Sequence, residues 1–109
     1  MASEVLKVKL HATLSNSEAD ILTVASGHTY TILSITLCET GNAAELFDLY
    51  IRDDAGANDY WIYKQQASGA YETFVHNDRI ALEATDVLSG ITATSADIDV
   101  VITYLDPTL

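Results

Sequence analysis

The sequence predicts an all-β fold, an antiparallel β-sandwich of eight or nine short strands that is jelly-roll-like in kind. Two observations carry this. Apolar and polar residues alternate with period two through most of the chain, the mark of strands with one buried face. Gly, Asn, Asp and Ser interrupt the alternation about every ten residues, the turn spacing of sandwiches and barrels.

The elements follow in order. Val5, Lys7 and Lys9 alternate with Leu6, Val8 and Leu10 in a weakly two-sided first strand. Ser17 to Asp20 fits the S-x-x-D start of a helix, with Ile21, Leu22 and Val24 behind it. Only about six residues remain before Ser26 and Gly27, too few for a helix without packing help, so 19–25 reads as a strand. From Thr29 to Cys38, Leu33, Ile35 and Leu37 share one face, with Tyr30, Ile32 and Cys38 on the other among Ser34 and Thr36. Phe47, Leu49 and Ile51 share a face, while Asp48, Tyr50 and Arg52 point oppositely.

Tyr60 to Tyr63 form an aromatic strand and Ala67 to Gly69 a turn; 70–75 is the next strand, and His76 to Asp78 a polar turn. Ile80 and Leu82 alternate with Ala81 and Glu83. A short strand around 87–93 precedes a turn at Thr94, Ser95 and Ala96. In the last strand Ile98, Val100, Ile102 and Tyr104 alternate against Asp97, Asp99 and Thr103, and Pro107 ends regular structure. No repeat, low-complexity tract or linker divides the chain. Residues 1–109 therefore read as one domain, with loose ends at 1–3 and 106–109.

Composition narrows the classes of function. The chain has 109 residues, 49% of them hydrophobic, with one Pro and five Gly, which is globular and not tail-like. Five Lys and Arg against sixteen Asp and Glu leave a net charge of −11, which argues against nucleic acid and anionic membrane as partners. The lone Cys38 excludes an internal disulfide framework and a multi-cysteine zinc site. Inside an alternating strand it reads as a small buried hydrophobe, not a nucleophile. There is no apolar run of about eighteen residues and no leader-like start, so a cytosolic origin is expected.

Chemical motifs are sparse. His11, His28 and His76 lie in three segments, without partners at metal-ligand spacing, and read as ordinary surface histidines. Asp53, Asp54, Asn58 and Asp59 surround Ala55-Gly56-Ala57 without the spacing of an EF-hand, so a hairpin turn with solvated carboxylates is expected ahead of the alternative, a weak calcium site shared between subunits. No nucleophile elbow, P-loop or dinucleotide fingerprint is present. Glu72, Glu83 and Asp86 are the kind of acids any acidic protein offers. No enzyme and no cofactor are expected.

The aromatic block is the most distinctive feature. Alternation places Tyr60 with Ile62 on one face and Trp61 with Tyr63 on the other, with Tyr71 and Phe74 across the hairpin. Cross-strand packing and subunit contact explain it equally well, with sugar stacking behind both. Tyr60, Trp61 and Tyr63 are thus candidate interface anchors. Val5, Lys7 and Lys9 mark a second candidate, a first strand that either pairs with a neighbouring sheet or is an ordinary edge blunted by lysine.

Two phrases resemble small tailed-phage virion proteins. One is LTVASGHTYTILSITLCETGN, from Leu22 to Asn42; the other is IALEATDVLSGITATS from Ile80, followed by DIDVVITYL ending at Leu105. The match covers roughly residues 20–52 and 79–105. It departs where Ala25-Ser26-Gly27 lacks the Pro that often precedes this turn, and in the richer aromatic block. The resemblance implies a non-enzymatic capsid decoration (cement) protein, made in the host cytoplasm and carried on the capsid exterior. Its implied partner is the major capsid protein, and its implied state a homo-oligomer, dimer or trimer. A receptor- or carbohydrate-binding module of a tail or head fibre is the alternative.

Overall fold

Strand pairing gives the topology. The computed structural model describes residues 3–53, 58–93 and 98–108. Among the described residues there are nine strands and no helix: β1 (Ser3–Leu14), β2 (Ala19–Thr23), β3 (Tyr30–Glu39), β4 (Glu45–Asp53), β5 (Asn58–Ser68), β6 (Thr73–His76), β7 (Ile80–Leu82), β8 (Val87–Thr92) and β9 (Ile98–Thr108). The antiparallel pairings nest, β1 with β9, β2 with β8, β3 with β6 and β7, and β4 with β5. The chain is thus one long two-stranded ribbon whose innermost pair is β4–β5. Folded over on itself, the ribbon sets β9 beside β3 and β8 beside β4. Two sheets result, β1-β9-β3-β6 with β7 also on β3, and β2-β8-β4-β5. This is jelly-roll connectivity, the fold class the turn spacing predicts.

One apolar core lies between the sheets. Ile32, Ile35 and Leu37 of β3 share it with Ile98 and Ile102 of β9, Phe47 and Leu49 of β4, and Leu88 of β8, all at most 1% exposed. Phe47 stands edge-on to Phe74 at 5.4 Å between ring centroids, the preferred geometry for aromatic pairs. At Gly90 of β8 a Cβ would come within 3.0 Å of Ile21 Cδ1 and 3.2 Å of Leu14 Cδ2. Glycine is what lets these side chains close over β8.

Register slips decide which side chains reach that core. The β3–β9 register slips between Ile32 and Ser34, so Ile32 and Ile35 are both buried, while Leu33, expected beside Ile35, is only half-buried. A slip between Asp20 and Leu22 buries both Ile21 and Leu22 in β2, and no helix forms after Ser17. Between β4 and β5, slips on both sides of Leu49 set Tyr63 opposite Leu49 but Trp61 opposite Tyr50. Trp61 and Tyr63, expected on one face, therefore stand on opposite faces.

Acids brace the irregular backbone. Thr13, Gln65 and Tyr71 have φ of 57°, 52° and 57°, a left-handed conformation costing non-glycine residues about 1 kcal/mol or more. Each donates its N–H to a carboxylate: Thr13 to Asp99 at 3.0 Å, Gln65 to Asp48 at 2.6 Å and Tyr71 to Glu39 at 3.0 Å. Charge-assisted bonds are strong enough to offset that cost. Glu39 is only 2% exposed and also accepts from the Gly41 and Ala43 N–H groups at 2.7 and 3.2 Å. One carboxylate thus closes both the loop after β3 and the turn before β6. The Tyr71 N–H, ahead of the other backbone donors, holds this carboxyl below the ordinary range against the opposing effect of desolvation.

Two further expectations are corrected. His76, expected in a surface turn, is buried at the end of β6 opposite Ile35, with Nδ1 2.7 Å from the Tyr63 hydroxyl. Residues 106–108, expected as a loose end, continue β9 against β1. Pro107 is tolerated because β9 pairs with β3 only as far as Leu105, so its missing N–H breaks no ladder on that side. Most of the predicted acidic turn, at 54–57, and the predicted turn at 94–96 lie outside the described residues.

Candidate interaction surface

The two sheets present unlike outer faces. On the β2-β8-β4-β5 sheet, Asp48, Tyr50 and Arg52 alternate outward along β4. Arg52 Nη1 lies 2.8 Å from Asp20 Oδ1 and 3.2 Å from Glu18 Oε1, and its Nε lies 3.9 Å from Asp59. The Tyr50 hydroxyl donates to Glu18; burial first, and then that bond, push the phenol well above its ordinary value. The Trp61 ring lies 4.4 Å from that of Tyr50, with the Lys64 ammonium 3.7 Å from its centroid. This face is charged and internally paired.

The opposite face is built on β1. Leu6, Val8 and Leu10 point outward and are 64%, 57% and 67% exposed. Directly opposite residues on neighbouring strands share a face, so the register extends the row. Leu6, Val8 and Leu10 lie opposite Leu105, Thr103 and Val101; Leu105 and Val101 lie opposite Thr31 and Thr36 of β3, and Thr36 opposite Val75 of β6. The charged positions of these rows lie at their ends: Glu4, opposite Pro107, at one, and Asp99, beside Cys38 and bonded to the Thr13 N–H, at the other. Cys38, expected to be buried, is half-buried on this face.

The inner side of β1 is cationic. Lys7 lies opposite Tyr104, and Lys9 opposite the buried Ile102. Lys7 Nζ is 2.9 Å from Asp106 Oδ2, and His28 Nδ1 is 2.9 Å from Asp106 Oδ1. Asp106 is 1% exposed, and the His28 bond, followed by the Lys7 bond, holds its carboxyl below the ordinary range. The bond to Asp106 likewise raises Lys7. Tyr104 packs on Tyr30 at 4.8 Å beside them. This knot ties the first strand to the end of the last.

The residues singled out from sequence are therefore not one site. Tyr60 and Trp61 are exposed on β5, whereas Tyr63 turns inward against Phe47 and Phe74 and bonds His76. Val5, Lys7 and Lys9 lie together on the inner side of β1. A sugar stacking on Trp61 would have to displace Lys64. Sequence reasoning gave no direction to the Leu6, Val8 and Leu10 row, because alternation shows two faces and not which one is covered. Among the described residues no group of three or more His, Cys, Asp or Glu is placed to hold a metal ion.

Fold and surface together define a class: a jelly-roll sandwich with one charged outer face and one face whose described strand rows carry charge only at their ends. No protein-family model matches the sequence, and no curated protein matches it. Among solved structures the fold is similar to a chain in the acidic stable capsid of Helicobacter pylori bacteriophage KHP30, with TM-score 0.58 and 10% identity over 99% of this chain and 94% of that one. It is also similar to a chain of the disulfide-linked pili that form Bacillus endospore appendages, with TM-score 0.52 and 13% identity over 98% of this chain and 88% of the other. At these identities the likeness is one of fold.

Proposed function

We propose that the chain is a non-enzymatic structural protein of a tailed-phage virion, a capsid decoration (cement) protein that binds the outer shell and ties neighbouring major capsid subunits together. The supporting observation is the nearly uncharged outer face of the β1 sheet on a chain of net charge −11. Exposed apolar patches of this kind mark contact surfaces. With that face on the shell, the Arg52 face points outward, and its acids keep many copies soluble and mutually repelling. The shared fold with a chain of a phage capsid supports this setting.

Magnitudes say how such a contact works. Covering the exposed parts of Leu6, Val8 and Leu10 contributes roughly 3–5 kcal/mol, against about 4–15 kcal/mol for immobilising a free protein. One face binds weakly on its own. Attachment then depends on contacts repeated across the lattice, or on backbone pairing added to the side-chain contact.

The test is a heat challenge of particles assembled with and without the chain. Particles lacking it are expected to open at a lower temperature. Equal stability, or absence of the chain from purified particles, contradicts the proposal.

A further inference from the structure

The first strand has more open backbone and side chain than any solvated edge requires. β1 pairs with β9 from Ser3 to His11 and again at Leu14, and no strand pairs with its other edge among the described residues. From Val5 to Leu10 every residue is exposed. The two faces of this stretch differ, with Leu6, Val8 and Leu10 on one and Lys7 and Lys9 on the other. Lys7 is held by Asp106, while Lys9 has no ion pair among the described residues. Charge alone suffices to blunt an edge against aggregation; here the exposed apolar residues Leu6, Val8 and Leu10 alternate with it.

We propose that the free edge of β1 receives an added strand from a partner protein, an extended segment in which acidic residues alternate with apolar ones. Backbone hydrogen bonds would continue the sheet. The apolar residues of the added strand would lie beside Leu6, Val8 and Leu10, and its acids beside Lys7 and Lys9, because directly opposite residues share a face. A second copy of β1 is a poor occupant. Antiparallel pairing centred on Val8, which sets Leu6 against Leu10 of the other copy, also sets Lys7 against its Lys9; centring on Lys9 or Lys7 sets each against itself. Like charges directly opposite destabilise a sheet. The net charge of −11 disfavours an acidic segment elsewhere on the chain, which leaves the Lys7 and Lys9 side of β1 as the place that accepts one. This proposal concerns the chemistry of the edge and stands apart from the capsid reading.

The test uses the full chain and three fluorescent octapeptides in anisotropy titrations. One alternates glutamate with valine, one alternates lysine with valine, and one carries the four glutamates and four valines in two blocks. The alternating acidic peptide is expected to bind saturably, roughly tenfold or more tighter than either of the others. Lys9→Glu is expected to lower its affinity by roughly tenfold and to shift preference to the lysine peptide, with the melting temperature unchanged; Lys9→Gln should give the loss without the shift. Equal binding of the block peptide, indifference to Lys9→Glu, or no binding up to about 1 mM overturns the proposal. Particle stability is read separately, so either idea can fail alone.

Discussion

Val8→Asp is expected to release the chain from the shell while leaving its fold intact. Val8 is more than half exposed on the outer face of β1, and its cross-strand partner is Thr103, also on that face. The free protein therefore loses no core contact, and its melting temperature should stay within about 2 °C of the parent. On the shell the same carboxylate would be enclosed among Leu6, Leu10 and Val101, with no cation among the described strand residues of that face. Burying an unpaired charge costs at least about 2 kcal/mol, a factor of roughly thirty in affinity. Repetition over the lattice enlarges the effect. Co-sedimentation with particles is the measurement, and retention equal to the parent would remove this face from the contact.

Glu39→Gln is expected to act on stability instead. The carboxylate accepts from Gly41, Ala43 and Tyr71, and an amide offers one acceptor oxygen and turns an NH₂ toward the remaining donors. The melting temperature should fall by about 10 °C at neutral pH. The pH dependence has a definite sign. Glu39 and Asp106 are both held below the ordinary carboxylate range, so the folded chain binds fewer protons than the unfolded one in acid. Their contribution is present above about pH 4 and is lost as pH falls through the depressed values. The parent should melt at a nearly constant temperature from about pH 7 to 5 and lose stability steeply below about 4. Glu39→Gln and Asp106→Asn should each start lower and slope less. Calorimetry across this range checks both points.

The strands were legible because one-sided burial writes itself as alternation, and the jelly-roll class because the turn residues recur at sandwich spacing. The register slips were not. A single extra residue reverses every later side chain on a strand, which is how Leu33 leaves the face of Ile35 and how Trp61 and Tyr63 part company. The buried polar residues were equally hidden. Glu39 meets Tyr71 across 32 positions, and Asp106 meets His28 across 78 and Lys7 across 99, so nothing local marks them. Pro107 read as a terminator because a sequence does not show where a neighbouring strand stops. Two acids on the polar positions of the alternation, Asp48 and Asp99, likewise bond Gln65 and Thr13 and hold left-handed backbone in place.

The central claim is one of orientation, and the chain carries its own probes. Cys38 is half-buried on the outer face of the β1 sheet, and Lys64 lies on the opposite, charged face. Alkylation of the thiol and acetylation of the lysine in free and particle-bound chain, followed residue by residue by mass spectrometry, compare the two sides of the sandwich. The account predicts that Cys38 on particles reacts at least roughly tenfold more slowly than in the free chain, while Lys64 keeps its free rate. Protection of Lys64 with Cys38 fully reactive would contradict it, and would put the charged face against the shell.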